Sequence, residues 1–149
     1  MASVFFSDSW AQEVRAALDT GPDDAALAAK LPQYWDSYDV VRAQYTSSWA
    51  LGVRNLPGGD RYLYIAWSGY FVRECRVLAS AEPVEASYVI TGDYAAWKAL
   101  CEGYDALRTI LYRRLTVEHG ELLEFFKTIY FFAESLVLVA AVPTEFKRS

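Results

Sequence analysis

The segment between Gly120 and Pro143 restricts the fold more than any other part of the chain. Leu122, Phe125, Phe126, Ile129, Phe132, Ala133 and Leu136 recur at i, i+3, i+4 spacing, which is the apolar stripe of a helix. Leu123, Tyr130, Phe131, Val137, Leu138 and Val139 lie off that stripe and are apolar as well. The spacing predicts a helix over 121–142, broken near Phe131 and ended by Pro143. A helix that is apolar nearly all round must be buried on most sides or must meet a second apolar body. Four bodies fit: the chain's own core and sheet, a lipid, a partner subunit or a membrane surface. The uncharged stretches of this helix are shorter than the roughly twenty residues that cross a bilayer, so no transmembrane segment is expected.

The middle of the chain reads as β. Trp49, Leu51 and Val53 alternate with Ser48, Gly52 and Arg54. Leu63, Ile65 and Trp67 face one way and Tyr62 and Tyr64 the other, the period-2 signature of strands. A turn over 55–60 and a tight turn at Ser68-Gly69 separate these from a third strand over 71–78. A loop over 79–85 leads to a fourth strand over 86–91. Three consecutive strands with short turns predict an antiparallel meander. Before it, from about residue 40 backwards, two helices are expected. The first runs over 8–19 with Trp10, Val14 and Leu18 on one stripe. The second starts at Pro22, presents Leu27, Leu31 and Tyr34 or Trp35, and is bent or ended by Pro32. After the fourth strand come helices over 93–102 and 105–112 and a short strand over 115–119. A chain of 149 residues in this order is one α+β domain, with 1–39 a helical N-terminal segment and 40–143 the core.

Charge excludes one class of function. Residues 1–39 hold seven acids against Arg15 and Lys30, and the remainder holds twelve of each sign, so the net −5 sits entirely in the N-terminal segment. No basic stripe is present, and no nucleic-acid partner is expected. Cys75 and Cys101 lack metal-ligand spacing and read as reduced thiols. With no secretory leader pattern at the start, a cytoplasmic chain is expected. His119 is the sole histidine and has no nucleophile or carboxylate partner visible in the sequence, so it reads as a polar strand end rather than a general base. Gly92 reads as a sharp turn, Asp93 as an N-cap accepting a backbone N–H, and Gly103 as a left-handed helix cap. No catalytic residue, metal ligand or cofactor is assigned.

These segments resemble a known family, the sterol carrier or nonspecific lipid-transfer domain. The resemblance rests on Ile90-Thr91-Gly92-Asp93, Trp97, Gly103, Arg114-Leu115-Thr116-Val117, Gly120 and the Phe-rich helix ending near Val142-Pro143. It covers roughly residues 46–143, the three-strand meander included. It implies a five-stranded mixed, mostly antiparallel sheet covered on one face by helices, with an apolar tunnel between. It further implies noncatalytic binding or transfer of a fatty acyl, sterol-like or other lipid ligand.

The helical apolar positions then supply a candidate lining: Tyr94, Trp97, Leu107, Leu111, Phe125, Phe126, Ile129 and Phe132, with Trp67 and Trp49 from the sheet side. Two other readings compete. In one, the C-terminal helix forms a homodimer interface through Phe131 and Leu138, and the cavity is closed. In the other, an enzyme uses His119 or a tyrosine on an apolar aromatic substrate.

Overall fold

The computed structural model describes residues 2–56, 58–79 and 85–146. In chain order the elements are β1 (Ser3–Val4), α1 (Asp8–Thr20), α2 (Asp24–Ala28), α3 (Pro32–Gln44), β2 (Ser48–Arg54), β3 (Arg61–Ser68), β4 (Phe71–Leu78), β5 (Tyr88–Asp93), α4 (Tyr94–Cys101), α5 (Ala106–Leu111), β6 (Leu115–His119), α6 (Leu122–Lys127), α7 (Ile129–Ala141) and β7 (Thr144–Glu145). Five strands form one mixed sheet in the order β4-β3-β2-β5-β6. All its pairs are antiparallel except β2 with β5. This is the expected sheet, with the meander β2-β3-β4 intact. Pro57 of the 55–60 turn, and residues 80–84 of the 79–85 loop, lie outside the described residues.

Strand alternation decides which face is covered. Trp49 stands opposite Ile65 and Tyr88, and Leu51 opposite Leu63 and Ile90. These side chains share one buried cluster with Trp10, Val14 and Leu18 of α1, Trp97 of α4, and Phe131, Phe132 and Leu136 of α7. The other face carries Ala50, Tyr64 and Ala66, which cluster with Ala86 and have no helix residue among them. The helices therefore cover one face, as period-2 patterning requires of a half-covered sheet. Helix α1 also lies on the β4 edge. Arg15 Nη2 donates to the carbonyl of Val72 at 2.9 Å, and the amide of Val72 donates to Asp19 Oδ1 at 2.7 Å. A sheet edge closed in this way offers no free ladder there.

Several local expectations are corrected. Pro32 does not bend a helix; it starts one, at the first position, after an extended Leu31. There its missing N–H costs nothing, because helix N-termini leave those donors unpaired anyway. Helix α3 consequently runs through Val40 to Gln44, and the β region begins at Ser48 rather than near residue 40. Leu27 and Leu31 are exposed rather than buried. Gly92 lies within β5 and makes no turn. A Cβ there would meet Leu115 Cδ2 at 2.4 Å and the Arg114 carbonyl oxygen at 2.6 Å, so β6 lies too close for a side chain. Asp93 is the N-cap residue of α4, but its side chain accepts no backbone N–H. It accepts instead from Arg54 Nε at 3.3 Å. Gly103 does adopt the left-handed conformation, with φ 107°. The C-terminal helix breaks at Thr128, three residues before the expected point, where φ is −116° and ψ 25°.

A second, two-stranded sheet joins the ends of the chain. Strands β1 and β7 pair in parallel, Ser3 opposite Thr144. Trp10 Nε1 donates to Thr144 Oγ1 at 3.0 Å and ties α1 to the same place.

Candidate functional site

A wide, mostly apolar recess lies between the C-terminal halves of α1 and α7, with α2 across one end. Its origin is local. Gly21 stops α1 with φ 79°, and a Cβ there would fall 2.5 Å from Arg42 Nη1. Arg42 is buried and Nη2 donates to the carbonyls of Leu18 and Asp19 at 3.0 and 2.9 Å, satisfying the end of α1. The chain then turns into α2, capped by Asp23, whose Oδ1 accepts from the amide of Ala26 at 2.8 Å. Helix α2 buries none of its own residues. This short strap borders, through Asp23 and Ala26, a groove of about 490 Å³ between α1 and α7.

The groove walls are Ala16, Ala17, Thr20 and Gly21 from α1, Ala26 from α2, and Val137, Leu138, Ala141, Val142 and Pro143 from the end of α7. Two carboxylates, Glu13 and Asp23, complete the lining. Small side chains make the space: alanines leave room between helices that larger residues would fill. Glu13 accepts from Ser3 Oγ through Oε1 at 3.0 Å, while its Oε2 is buried without a hydrogen-bond partner among the described residues.

The strap is held from its far side by Glu134, a buried acid in the apolar helix α7. Its Oε2 accepts from Tyr34 Oη at 2.6 Å and from Lys30 Nζ. Burial, followed by this hydrogen bond, pushes the Tyr34 hydroxyl well above its ordinary range. Trp35 Nε1 adds a 3.0 Å bond to the carbonyl of Leu27. A lone acid inside an apolar helical run is visible in the sequence and is the one signal that points to this anchor.

Of the ten residues expected to line a cavity, eight are brought to one cluster, with Tyr94, Leu107 and Ile129 packed against its buried members, while Leu111 and Phe126 lie outside it. Trp49, Trp67, Trp97, Phe125 and Phe132 are buried in the main cluster and touch one another or neighbouring rings. Trp49 and Phe132 have ring centroids 4.8 Å apart, Phe125 and Phe132 4.9 Å, and Trp97 and Phe6 5.5 Å. Ile129 is partly buried against the same cluster, and Tyr94 packs beside Phe5 at 5.9 Å. Leu111 and Phe126 are 54% and 42% exposed and line a separate recess of about 350 Å³ beside β6. Leu107 lies in another, near Lys30, Tyr34 and Glu134. Of the N-terminal residues that do line the groove, none is singled out by the sequence pattern; alanines carry no periodic signal.

Phe131 is 1% exposed and sits against Tyr45 and Trp67 at 4.7 and 5.1 Å. The face of the C-terminal helix suggested for a homodimer is therefore covered at Phe131 by the chain itself. His119 is exposed at the end of β6. Among the described residues no cluster of three or more His, Cys, Asp or Glu could hold a metal, and no helix is long and apolar enough to cross a membrane.

No family model and no curated protein matches the sequence. Solved structures do. A crystal structure of sterol carrier protein 2 superposes with TM-score 0.72 at 20% identity, covering 93% of this chain and 98% of that one. The chain has the sterol carrier protein fold. A second structure with this fold, the solution structure of a conserved hypothetical protein from Thermus thermophilus described as a candidate sterol carrier protein, gives TM-score 0.68 at 20% identity. It covers 97% of both chains. Within the sterol-carrier fold, the groove between α1, α2 and α7 belongs to the helical layer, above an aromatic core packed ring against ring.

Proposed function

We propose that this protein binds a lipid or other apolar small molecule and carries it in the cytoplasm without chemical change. The observation that carries the reading is the groove of about 490 Å³ with apolar walls from α1, α2 and the end of α7. Ligand sites are typically apolar clefts of roughly 300–1,000 Å³ with a few placed polar groups, and this groove has that size and that make-up. Transfer of ligand surface from water supplies the affinity, about 25 cal/mol per Å² of apolar area. The likeness to sterol carrier protein 2 supports a lipid as the class of ligand. Two thiols outside any disulfide fit a reducing compartment.

This reading places the ligand elsewhere than the lining expected from the sequence. The aromatic residues of α4, α6 and α7 act as the floor that supports α1 and α7, and the ligand lies above them rather than among them. Titration calorimetry with 1-dodecanol tests this. The wild type should bind, and Ala141→Trp or Ala16→Trp, both at exposed positions, should weaken binding by about tenfold or more, equivalent to ~1.4 kcal/mol. Leu111→Asp, in the recess beside β6, should leave it unchanged. Undiminished binding to both tryptophan variants, or no binding to the wild type, would overturn the proposal.

A further inference from the structure

We infer that the groove selects amphiphiles with a cationic head, long-chain amines above all, and disfavours fatty acids; this rests on the groove being the ligand site. Its apolar walls end in acidic groups only. Of its lining side chains, Glu13 and Asp23 are the ionisable ones, and none is Lys, Arg or His. Both belong to the N-terminal segment of 39 residues that carries the whole net charge of −5.

Three features place unbalanced negative potential at the groove. Glu13 Oε2 is buried with no partner among the described residues. A buried carboxylate oxygen left unpaired is costly, and an ammonium group would supply the missing donor. Asp23 uses Oδ1 to cap α2 and is otherwise exposed, leaving charge available at the opposite wall. Helix α7 points its C-terminus at the groove through Ala141 and Val142, and its last turn holds no basic residue. A helix C-terminus carries about half a negative charge, which favours cations nearby.

Arg42 lies behind Gly21. Its Nε and Nη2 donate to the carbonyls of Tyr70, Leu18 and Asp19, so it compensates the end of α1 and the loop after β3. A fatty acid would bring its carboxylate against Glu13 and Asp23 with no lining side chain to receive it.

The experiment compares dodecylamine, 1-dodecanol and dodecanoate by titration calorimetry at neutral pH, each below its micelle concentration. Dodecylamine should bind about tenfold more tightly than the alcohol, and dodecanoate more weakly than either. The Glu13→Gln/Asp23→Asn double variant keeps a capping side chain at position 23, and thermal unfolding checks its fold. In it the advantage of the amine over the alcohol should collapse to about twofold or less. Added salt should weaken the amine and spare the alcohol. If dodecanoate binds as tightly as the amine, or the double variant keeps the amine's roughly tenfold advantage over the alcohol, the charge selection is overturned while the groove remains the lipid site. If none of the three binds, the proposed function falls and this inference falls with it.

Discussion

The indole Nε1 of Trp97 donates to the carbonyl oxygen of Gly52 at 2.9 Å. This bond fastens α4 to the centre of the sheet. Position 52 itself has no room for a side chain, since a Cβ there would meet Tyr62 Cε2 at 2.5 Å and Thr91 Cγ2 at 2.7 Å. Trp67 is also buried, but its Nε1 has no partner among the described residues. The two tryptophans therefore predict different responses to the same change. Trp97→Phe loses a buried hydrogen bond, whereas Trp67→Phe removes an unpaired donor. By chemical denaturation Trp97→Phe should cost about 2 kcal/mol more than Trp67→Phe. Equal losses would show that the Gly52 contact contributes nothing. Trp97→Ala should cost about 3–5 kcal/mol through the cavity it opens, an effect on folding rather than on a ligand.

Gly92 gives a second prediction. Its absent Cβ lets the Arg114 carbonyl and the Leu115 side chain approach β5. Gly92→Ala should destabilise by about 1–3 kcal/mol, the usual cost of overpacking. Because Thr116 and Val117 pair with Thr91 and Ile90, their amides should lose hydrogen-exchange protection more than those of β3. Uniform loss across the sheet would count against a local clash.

The sheet is readable in the sequence and the groove is not, for physical reasons. Alternation at Trp49, Leu51 and Val53 and at Leu63, Ile65 and Trp67 names the helix-covered face correctly, because a one-residue slip would turn every one of them to the face that carries Ala50, Tyr64 and Ala66. Helix α3 escapes detection past Pro32 since it buries only Trp35, Tyr38 and Arg42 and leaves Val40 60% exposed, so no clean apolar stripe marks it. The pairing of β1 with β7 joins residues 3–4 to 144–145, too short and too distant for any local pattern. Trp97 and Phe132 do face inward, as their spacing requires. Periodicity cannot say whether an inward side chain meets a ligand or another side chain; here the neighbours are Phe6 and Trp49. The groove is made by what alanines omit, and an omission has no period.

Glu134 carries a third prediction. It joins the junction of α2 and α3 to α7 through Tyr34 and Lys30. Glu134→Ala leaves the Tyr34 hydroxyl without its acceptor, though Lys30 Nζ still donates to it at 3.3 Å, and should cost about 2 kcal/mol. Lys30 has a side chain 44% exposed, so Lys30→Met should cost under about 1 kcal/mol. In a double-mutant cycle the Tyr34→Phe/Glu134→Ala pair should couple more strongly than the Lys30→Met/Glu134→Ala pair. The reverse order would make the ion pair, not the tyrosine, the anchor.

The last prediction concerns alkaline pH. Cys75 is buried under α1, and its Sγ donates to the carbonyl of Ala11 at 3.4 Å. Burial pushes its thiol up from 9.0 to about 12. Above pH 9 the unfolded chain releases this proton while the folded chain keeps it. The unfolded state then binds fewer protons, and stability falls as pH rises. The contribution is whole below pH 9 and is lost progressively as the pH climbs towards 12, at about 1.4 kcal/mol per pH unit for one thiol. Tyr38 and Tyr45 are also raised by burial, from 10.0 to about 12 each, and add to the alkaline loss at somewhat higher pH. Cys75→Ala keeps both tyrosines. The difference between wild-type and variant unfolding free energies, measured by urea denaturation from about pH 8 upward, isolates the thiol. It should be flat below about pH 9 and then slope by about 1.4 kcal/mol per unit against the wild type. Parallel curves would mean that the thiol ionises as readily in the folded chain as in the unfolded one, and that α1 does not seal this edge of the sheet from water.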